Sequence, residues 1–307
     1  AYIAIFLVHH SKDIKILDEL EINALFLFDK YKPASLTKEE VKFFDEQVNI
    51  IVKASLPAPY TTPERARHEI LENQDHEEEK GVKKVTDTEH PLEKELRRAI
   101  RTAEVIGAIL KNRGGSLEKK KTEELFEEAM NIHLRILSSF FEVVKDKKTQ
   151  EITIKIISKK LEKIFSNKKG KIGQEKLEEL ARRIFWNLNF FTVYAIIVKT
   201  AHSLGSDKLV EVIENIDRKV NTPASFLIKE QILMWYLKNL QTDEITRRTS
   251  ESDFSDIANS VMRHMVANYC ALHPVRHRDR QKLQEKLGIS SKRLLVSREI
   301  FRQPHRR

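Results

Sequence analysis

Side chains near the C-terminal end combine ligand types that zinc prefers. Cys270, His273 and His277 are spaced i, i+3, i+7, and His264 lies one to two helical turns earlier. On an unbroken helix, this spacing would put a thiolate and imidazoles on one face, which suits zinc. Pro274 interrupts such a helix. We therefore interpret them as ordinary residues at a helix end, and expect neither a metal site nor a cofactor.

A second motif, from Arg280 to Leu295, resembles a helix-turn-helix. Its turn would be at Gly288, and Ser290 would cap the second helix. The buried positions of the motif would be Leu283, Leu287, Ile289 and Leu294. Gln284 departs from the motif, which has a small side chain there, and Ser297 stands where an apolar residue belongs. Two interpretations remain open: DNA recognition through the second helix, and a basic helical pair that packs on its own array, which we favour.

Positive charge is concentrated in the same end of the chain. The net charge is +9, and from Ala271 to Arg307 eleven Lys and Arg oppose three Asp and Glu, a local net of +8. The candidate polyanion-binding residues are Arg276, Arg278, Arg280, Lys282, Lys292 and Arg293. Such an end can bind nucleic acid, an acidic protein face or an anionic membrane surface.

The sequence contains no recognisable catalytic motif. A phosphate-binding loop of the P-loop type does not occur, and Gly170-Lys171 is its nearest echo. No Ser or Cys stands in a Gly-rich elbow that would activate a nucleophile. We expect a protein that is not an enzyme and that acts through protein partners or self-association.

Composition predicts that helices position these residues. Glycine and proline number only eight each among 307 residues, although sheet proteins use both in turns. Apolar residues recur at helical spacing, and no fixed-period repeat is present. The sequence predicts an all-α fold, an irregular array of antiparallel amphipathic helices with no sheet.

Capping patterns predict where the first helices begin. Asp13 would cap a helix that reaches Phe28, and Thr37 to Glu40 form a capping box for the next helix. Thr62-Pro63 would start a third. The helix behind the capping box is predicted to be continuous through its apolar positions Val41, Phe44, Val48, Ile51 and Val52.

Pro91 opens the longest predicted series of helices. Its first helix has a buried stripe of Leu92, Leu96, Ile100, Ala103, Ile106 and Leu110. Glu104 is expected on the opposite, solvent face, Gly114 in a left-handed cap, and Ser116 at the start of the next helix. Later helices are predicted over Thr149–Phe165 and Gln174–Leu204, from Ser206-Asp207, from Thr222-Pro223, over Ser255–Leu272, and on both sides of Gly288.

Four parts of the chain are predicted. They are an N-terminal helical segment (1–72), an acidic linker or mobile loop (73–90), the main helical array (91–270) and the basic C-terminal helical end (271–307). The apolar stretch Phe190–Val198 is too short to cross about 30 Å of hydrocarbon, so we expect a fully buried helix and no membrane span. The lone Cys270 fits a cytoplasmic protein. An initial Ala1 followed by an apolar run indicates a fragment or a processed form.

Several of these stretches together resemble the helical region that follows the nucleotide-binding core of bacterial STAND NTPases, the relatives of NACHT and NLR proteins. The resemblance lies in Leu25–Lys53, Ala99–Leu117, Glu123–Val144 and Tyr269–Ser291, and the run Ile100–Leu117 is its most specific part. It implies a sensor or scaffold region of a signalling or defence ATPase, whose P-loop domain would lie outside this chain. It assigns no function to any individual residue.

Overall fold

The computed structural model describes residues 14–51, 91–165 and 173–289. The described residues form α1 (Ile14–Leu25), α2 (Lys42–Asp45), α3 (Val48–Ile51), α4 (Pro91–Arg113), α5 (Lys119–Lys145), α6 (Lys147–Phe165), α7 (Gln174–Leu204), a 3₁₀ turn (Asp207–Leu209), α8 (Val210–Val220), α9 (Pro223–Tyr236), α10 (Thr242–Arg248), α11 (Asp256–Leu272) and α12 (His277–Leu287). Among these residues the only β pairing is an isolated bridge between Thr37 and Phe254. The prediction of an all-α fold is confirmed.

The long helix α7 lies at the centre of the array. It packs against α3, α4, α5, α6, α9 and α11. Phe44, Phe141 and Trp186 meet edge to face in the core, with the Phe44 ring 5.5 Å from that of Trp186 and 5.9 Å from that of Phe141. One continuous apolar core thus joins residues 14–51 to the helices that follow.

Helices α4 and α7 approach each other closely at Gly107. A Cβ atom built on Gly107 would lie 2.1 Å from the carbonyl oxygen of Ser203, which is far inside van der Waals contact. Only glycine fits there without separating the helices. The same helix pair is held at its edge by an ion pair between Lys199 and Glu104. Glu104 therefore faces α7, and its predicted place on the opposite solvent face is wrong.

Asp45, at the end of α2, caps a helix more than two hundred positions later. Its carboxylate accepts hydrogen bonds from the backbone N–H groups of Ile257 (3.0 Å) and Asp256 (3.2 Å) at the start of α11. Ser255 adds its own side-chain cap through the N–H of Ala258. Two free N–H groups that the α11 sequence leaves unsatisfied are thus satisfied by the N-terminal segment.

Arg135 of α5 ties the end of α1 to the array. Its Nη1 donates to the carbonyl oxygens of Leu25 and Leu27, both at 3.0 Å, and its Nη2 pairs with Glu128. The Arg135 side chain is 7% exposed and that of Glu128 11%. A buried arginine therefore satisfies carbonyls that the end of α1 leaves open, while Glu128 balances its charge.

The N-terminal predictions differ from the structure because tertiary contacts intervene. α1 ends at Leu25, and Phe28 has a positive φ of 55° outside the helix. The capping box does not form: Thr37 pairs with Phe254, and Glu40 accepts from the N–H groups of Ser35 (2.8 Å) and Leu36 (2.6 Å). The predicted single helix behind it is the two short helices α2 and α3.

Three details around α4 also differ from prediction. Leu92 is 45% exposed at the helix start, whereas Ile106 and Leu110 are buried as expected. Gly114 has no left-handed backbone; it is tight because a Cβ there would lie 2.9 Å from the Leu209 side chain. Ser116 lies in the turn, and α5 begins at Lys119 without a side-chain cap.

Later helices follow the sequence signals closely. α7 spans Gln174–Leu204 as predicted, Ser206 caps the 3₁₀ turn, and Thr222 forms a capping box with Ser225 at the start of α9. α10 had no predicted counterpart. Predictions for Asp13, Thr62-Pro63, Asn73–His90 and the helix after Gly288 fall outside the described residues.

α7 is long and apolar enough, by length and composition, to cross a membrane, the only such helix among those described. In this structure 39% of its apolar window is buried. Leu188 is 58% exposed, and Ala195 also faces solvent. The expectation that Phe190–Val198 is fully buried is therefore wrong, because α7 has one face that its neighbours do not cover.

Candidate functional site

The structure does not assemble Cys270, His264, His273 and His277, the residues whose types suit zinc, into a metal site. Cys270 is buried, and burial raises the pKa of its thiol to about 12, so the thiolate that zinc needs is disfavoured. His264 is buried beside the ring of Phe190, and His273 stacks on Tyr269 at the end of α11. Among the described residues, no three His, Cys, Asp or Glu side chains are arranged to hold a metal ion.

The first helix of the basic end packs onto the array. Leu283, Leu287 and Ile289 are buried, and α12 lies against α10. Gly288 has a left-handed backbone (φ 65°), as the predicted turn requires.

The candidate polyanion-binding residues of this helix have different surroundings. Arg276 and Arg278 are exposed, Arg280 is half-buried, and Lys282 is paired with Asp243. Lys292 and Arg293 lie outside the described residues.

A buried charge cluster between α8, α9 and α10 was not predicted. The Lys229 ammonium lies 3.1 Å from Asp217, 3.4 Å from Glu230 and 2.6 Å from Glu244. Ser225 donates a 2.7 Å hydrogen bond to Asp217. Three carboxylates thus share one lysine. The sequence signal was present, since Lys229-Glu230 is a charged pair inside the otherwise apolar run of α9.

Glu230 is the unusual member of this cluster. It is 0% exposed, and apart from the Lys229 ammonium 3.4 Å from Oε1, neither carboxylate oxygen has a hydrogen-bond partner. Burial raises the pKa of Glu230 to about 8, and the neighbouring Glu244 and Asp217 add to the rise while Lys229 opposes it. Burial therefore favours the protonated form of this carboxyl.

The cluster has shifted pKa values like those of a functional site, but its groups are not accessible to a substrate. Shifted pKa values indicate catalysis when the groups line a cleft, whereas Lys229 is 5% exposed and lies over the ring of Phe226. The hydrogen bond to Glu244 and the charges of Glu230 and Asp217 overcome burial and raise the pKa of Lys229. The arrangement is suited to holding α8, α9 and α10 together.

Replacing Glu230 with Gln is expected to remove a pH dependence of stability. The folded pKa of about 8 lies above the ordinary glutamate value of 4.5, so the folded state binds the proton more tightly than the unfolded chain. Its contribution to stability is complete below the lower value and is lost as pH rises through about 8. The free energy of unfolding should fall by up to about 1.4 kcal/mol per pH unit over that range.

Urea titrations of the wild type and of Glu230→Gln at several pH values above about 6.5 measure this effect. Below about pH 6.5 a second group interferes: burial lowers the pKa of His133 to about 4, so stability there rises with pH, opposite to the effect of Glu230. Glu39→Gln, at an exposed carboxyl, is the control and should retain the wild-type slope. An unchanged slope in Glu230→Gln would contradict the assignment.

A shallow cleft of about 320 Å³ lies between α6 and α7. It is lined by Lys147, Gln150, Glu151, Ile154, Lys155, Glu178 and Arg182. The lining combines opposite charges and contains no Ser, Cys or His that could act as a nucleophile or as an imidazole base.

Comparison of the chain with protein-family models, with curated proteins and with solved structures found no match.

Proposed function

We propose that the chain is a non-catalytic helical regulatory or protein-interaction region of a cytoplasmic protein. The observation that carries this is an apolar edge formed by Ile22, Leu25 and Phe26, which are 54%, 50% and 69% exposed. Their i, i+3, i+4 spacing places them on one side of α1 and its end. Clustered exposed apolar side chains with an aromatic member are typical of protein-binding surfaces.

Ion pairs and hydrogen bonds from α5 fix the backbone of this apolar edge. Lys121 of α5 pairs with both Asp18 (2.6 Å) and Glu21 (2.5 Å) on α1. Arg135 fixes the carbonyls just beyond, at Leu25 and Leu27. A surface whose backbone is already ordered loses less conformational freedom when a partner binds.

The finer proposal is that this region is the sensor or scaffold of a STAND-type signalling or defence ATPase. The resemblance of Ala99–Leu117 and the other three stretches supports it. In that case the partner of the apolar edge is the P-loop domain of the same protein.

The coding sequence upstream of Ala1 provides the test. A P-loop domain is expected there, and in the complete protein Ile22→Ser with Phe26→Ser should change ATP turnover or oligomeric state. Leu237→Ser, at another exposed apolar side chain, is the control and should change neither. The absence of a P-loop domain from the gene would refute the STAND assignment, and unaltered behaviour of the double variant would refute the role of the apolar edge.

A second candidate is a nucleic-acid-binding protein that uses α12 and the residues after it. The left-handed Gly288 and the buried Leu283 and Leu287 favour it. Non-specific binding would have a Kd of about 10⁻⁴–10⁻⁶ M and would weaken steeply with salt. Selection from a duplex library separates the two candidates: a motif that is enriched, and then lost in Lys292→Ala with Arg293→Ala, would favour this one.

A further inference from the structure

The peripheral helix α6 exposes isoleucines between lysines on one face. Ile152 and Ile156 are each 50% exposed, and Lys148, Lys155 and Lys159 are exposed beside them. At 3.6 residues per turn, these five side chains lie within an arc of about 100°. The opposite side of α6 packs against α7 and contains the buried Ile154.

The lysines of this face differ from those elsewhere in the array. Lys119, Lys121 and Lys219 each pair with a carboxylate on another helix. In the part of the chain that the structure describes, no ion pair is formed by Lys148, Lys155 or Lys159 of the face, or by the exposed Lys160 just beyond its edge. α6 contains six Lys against Glu151 and Glu162, a net charge of +4. The lysines of this face therefore lack the carboxylate partner that Lys119, Lys121 and Lys219 have.

We propose that this face of α6 docks on an anionic lipid surface. A helix with four to eight basic residues beside apolar side chains is the pattern that binds acidic phospholipids. The isoleucines enter the boundary between headgroups and acyl chains, while the lysine stems extend so that their ammonium groups reach the phosphates.

The chemistry of the face favours lipid over nucleic acid. All its cations are lysines, which act as mobile point charges and lack the fixed two-pronged geometry by which arginine recognises a base or a single phosphate. The solvent-facing apolar side chains are aliphatic, so they offer no ring on which a base can stack. Aliphatic side chains among lysines gain from an acyl boundary, and a phosphate backbone offers them nothing comparable.

Flotation of the full chain with vesicles tests this inference. Binding is expected to phosphatidylcholine vesicles that contain phosphatidylserine, to weaken with salt, and to be absent from pure phosphatidylcholine. Changing Lys148, Lys155, Lys159 and Lys160 to Gln should reduce the partition coefficient at least about tenfold. The charge-matched control variant replaces four exposed lysines outside α6 with Gln and should retain most of the binding. These lysines are Lys32, Lys94, Lys176 and Lys208.

A second variant separates lipid docking from general attraction to anions. Ile152→Ser with Ile156→Ser keeps every charge and should still lower the partition coefficient about tenfold, because it removes the inserted apolar area. Vesicle binding that survives this change, with duplex DNA bound equally by both forms, would overturn the proposal in favour of nucleic acid. Binding lost only in Arg276→Gln with Arg278→Gln would overturn it in favour of the basic C-terminal end.

The inference does not depend on the proposed function. The α6 face and the apolar edge of α1 share no residue, and the two tests use different variants and different readouts. Failure of vesicle binding would leave the result at Ile22 and Phe26 unaffected.

Discussion

Ile106→Asp should lower the free energy of unfolding by roughly 4 kcal/mol or more, the range seen when a charge is buried without a partner. Ile106 is 1% exposed in the middle of α4, beside the point where Gly107 brings α7 closest. Because Ile106 is buried, the carboxylate would lose its contact with bulk water, and a loss of this size is a large part of the stability of an ordinary domain. We expect much of the variant to be unfolded at 37 °C, as measured by urea titration followed by circular dichroism.

Leu92→Asp is the matched control, because it makes the same chemical change on the same helix. Leu92 is 45% exposed in the first turn of α4, where a negative charge interacts favourably with the helix dipole. The expected change is within about 0.5 kcal/mol of zero. Equal losses in the two variants would mean that the buried face of α4 is misplaced.

Arg135→Met should lower the free energy of unfolding by about 3–5 kcal/mol, the range seen when one partner of a buried ion pair is removed. Methionine keeps much of the volume but leaves the Glu128 carboxylate without its cation and the carbonyls of Leu25 and Leu27 without a donor. Burial already raises the pKa of Glu128 against the opposing effect of Arg135, so the variant should take up a proton there.

Two further variants test that explanation. Arg183→Met breaks an exposed i, i+4 pair with Glu179 and should cost no more than about 0.5 kcal/mol. Adding Glu128→Leu to Arg135→Met should recover part of the loss, because it removes the unpaired charge. Proteolysis of the Arg135→Met variant should cut first within residues 14–51, and uniform protection of that segment would contradict its dependence on Arg135.

Local sequence patterns predicted those parts of the fold that local contacts decide. α7 and α9 follow their apolar spacing and their caps at Gly205 and Thr222. The N-terminal segment departs from prediction at Phe28, where the first helix was expected to continue, and at the capping box that follows Leu36. Both Phe28 and Leu36 have a positive φ. Both lie where distant partners hold the backbone, the Arg135 guanidinium near one and the Phe254 strand bridge near the other. Neither partner is close in sequence, so local sequence patterns could not predict these two backbone conformations.

Of the candidate sites, the face of α6 could be predicted in part from the sequence, whereas the charge cluster around Glu230 could not. The apolar and basic residues of α6 could have been assigned to one face from the sequence. Residues 1–270 as a whole are nearly neutral, however (+9 less the +8 of residues 271–307), because acidic segments elsewhere cancel the lysines of Lys147–Lys163. The raised pKa of Glu230 could not have been predicted, because it depends on how α8 and α10 close over Lys229. Burial of a charge is a property of the assembled helices.

The cap that Asp45 provides for α11 sets an order of events during synthesis. Its partner Ile257 is 212 positions later in the chain. At a translation rate of about 5–20 residues per second, Asp45 leaves the ribosome some 10–40 s before that partner does. Closing so long a loop carries an entropic cost that only the nearly complete chain can offset. Over that interval the apolar side chains of residues 34–51 lack the surfaces of α7 and α11 that bury them in the folded protein, so this segment is exposed to solvent and to other proteins during translation.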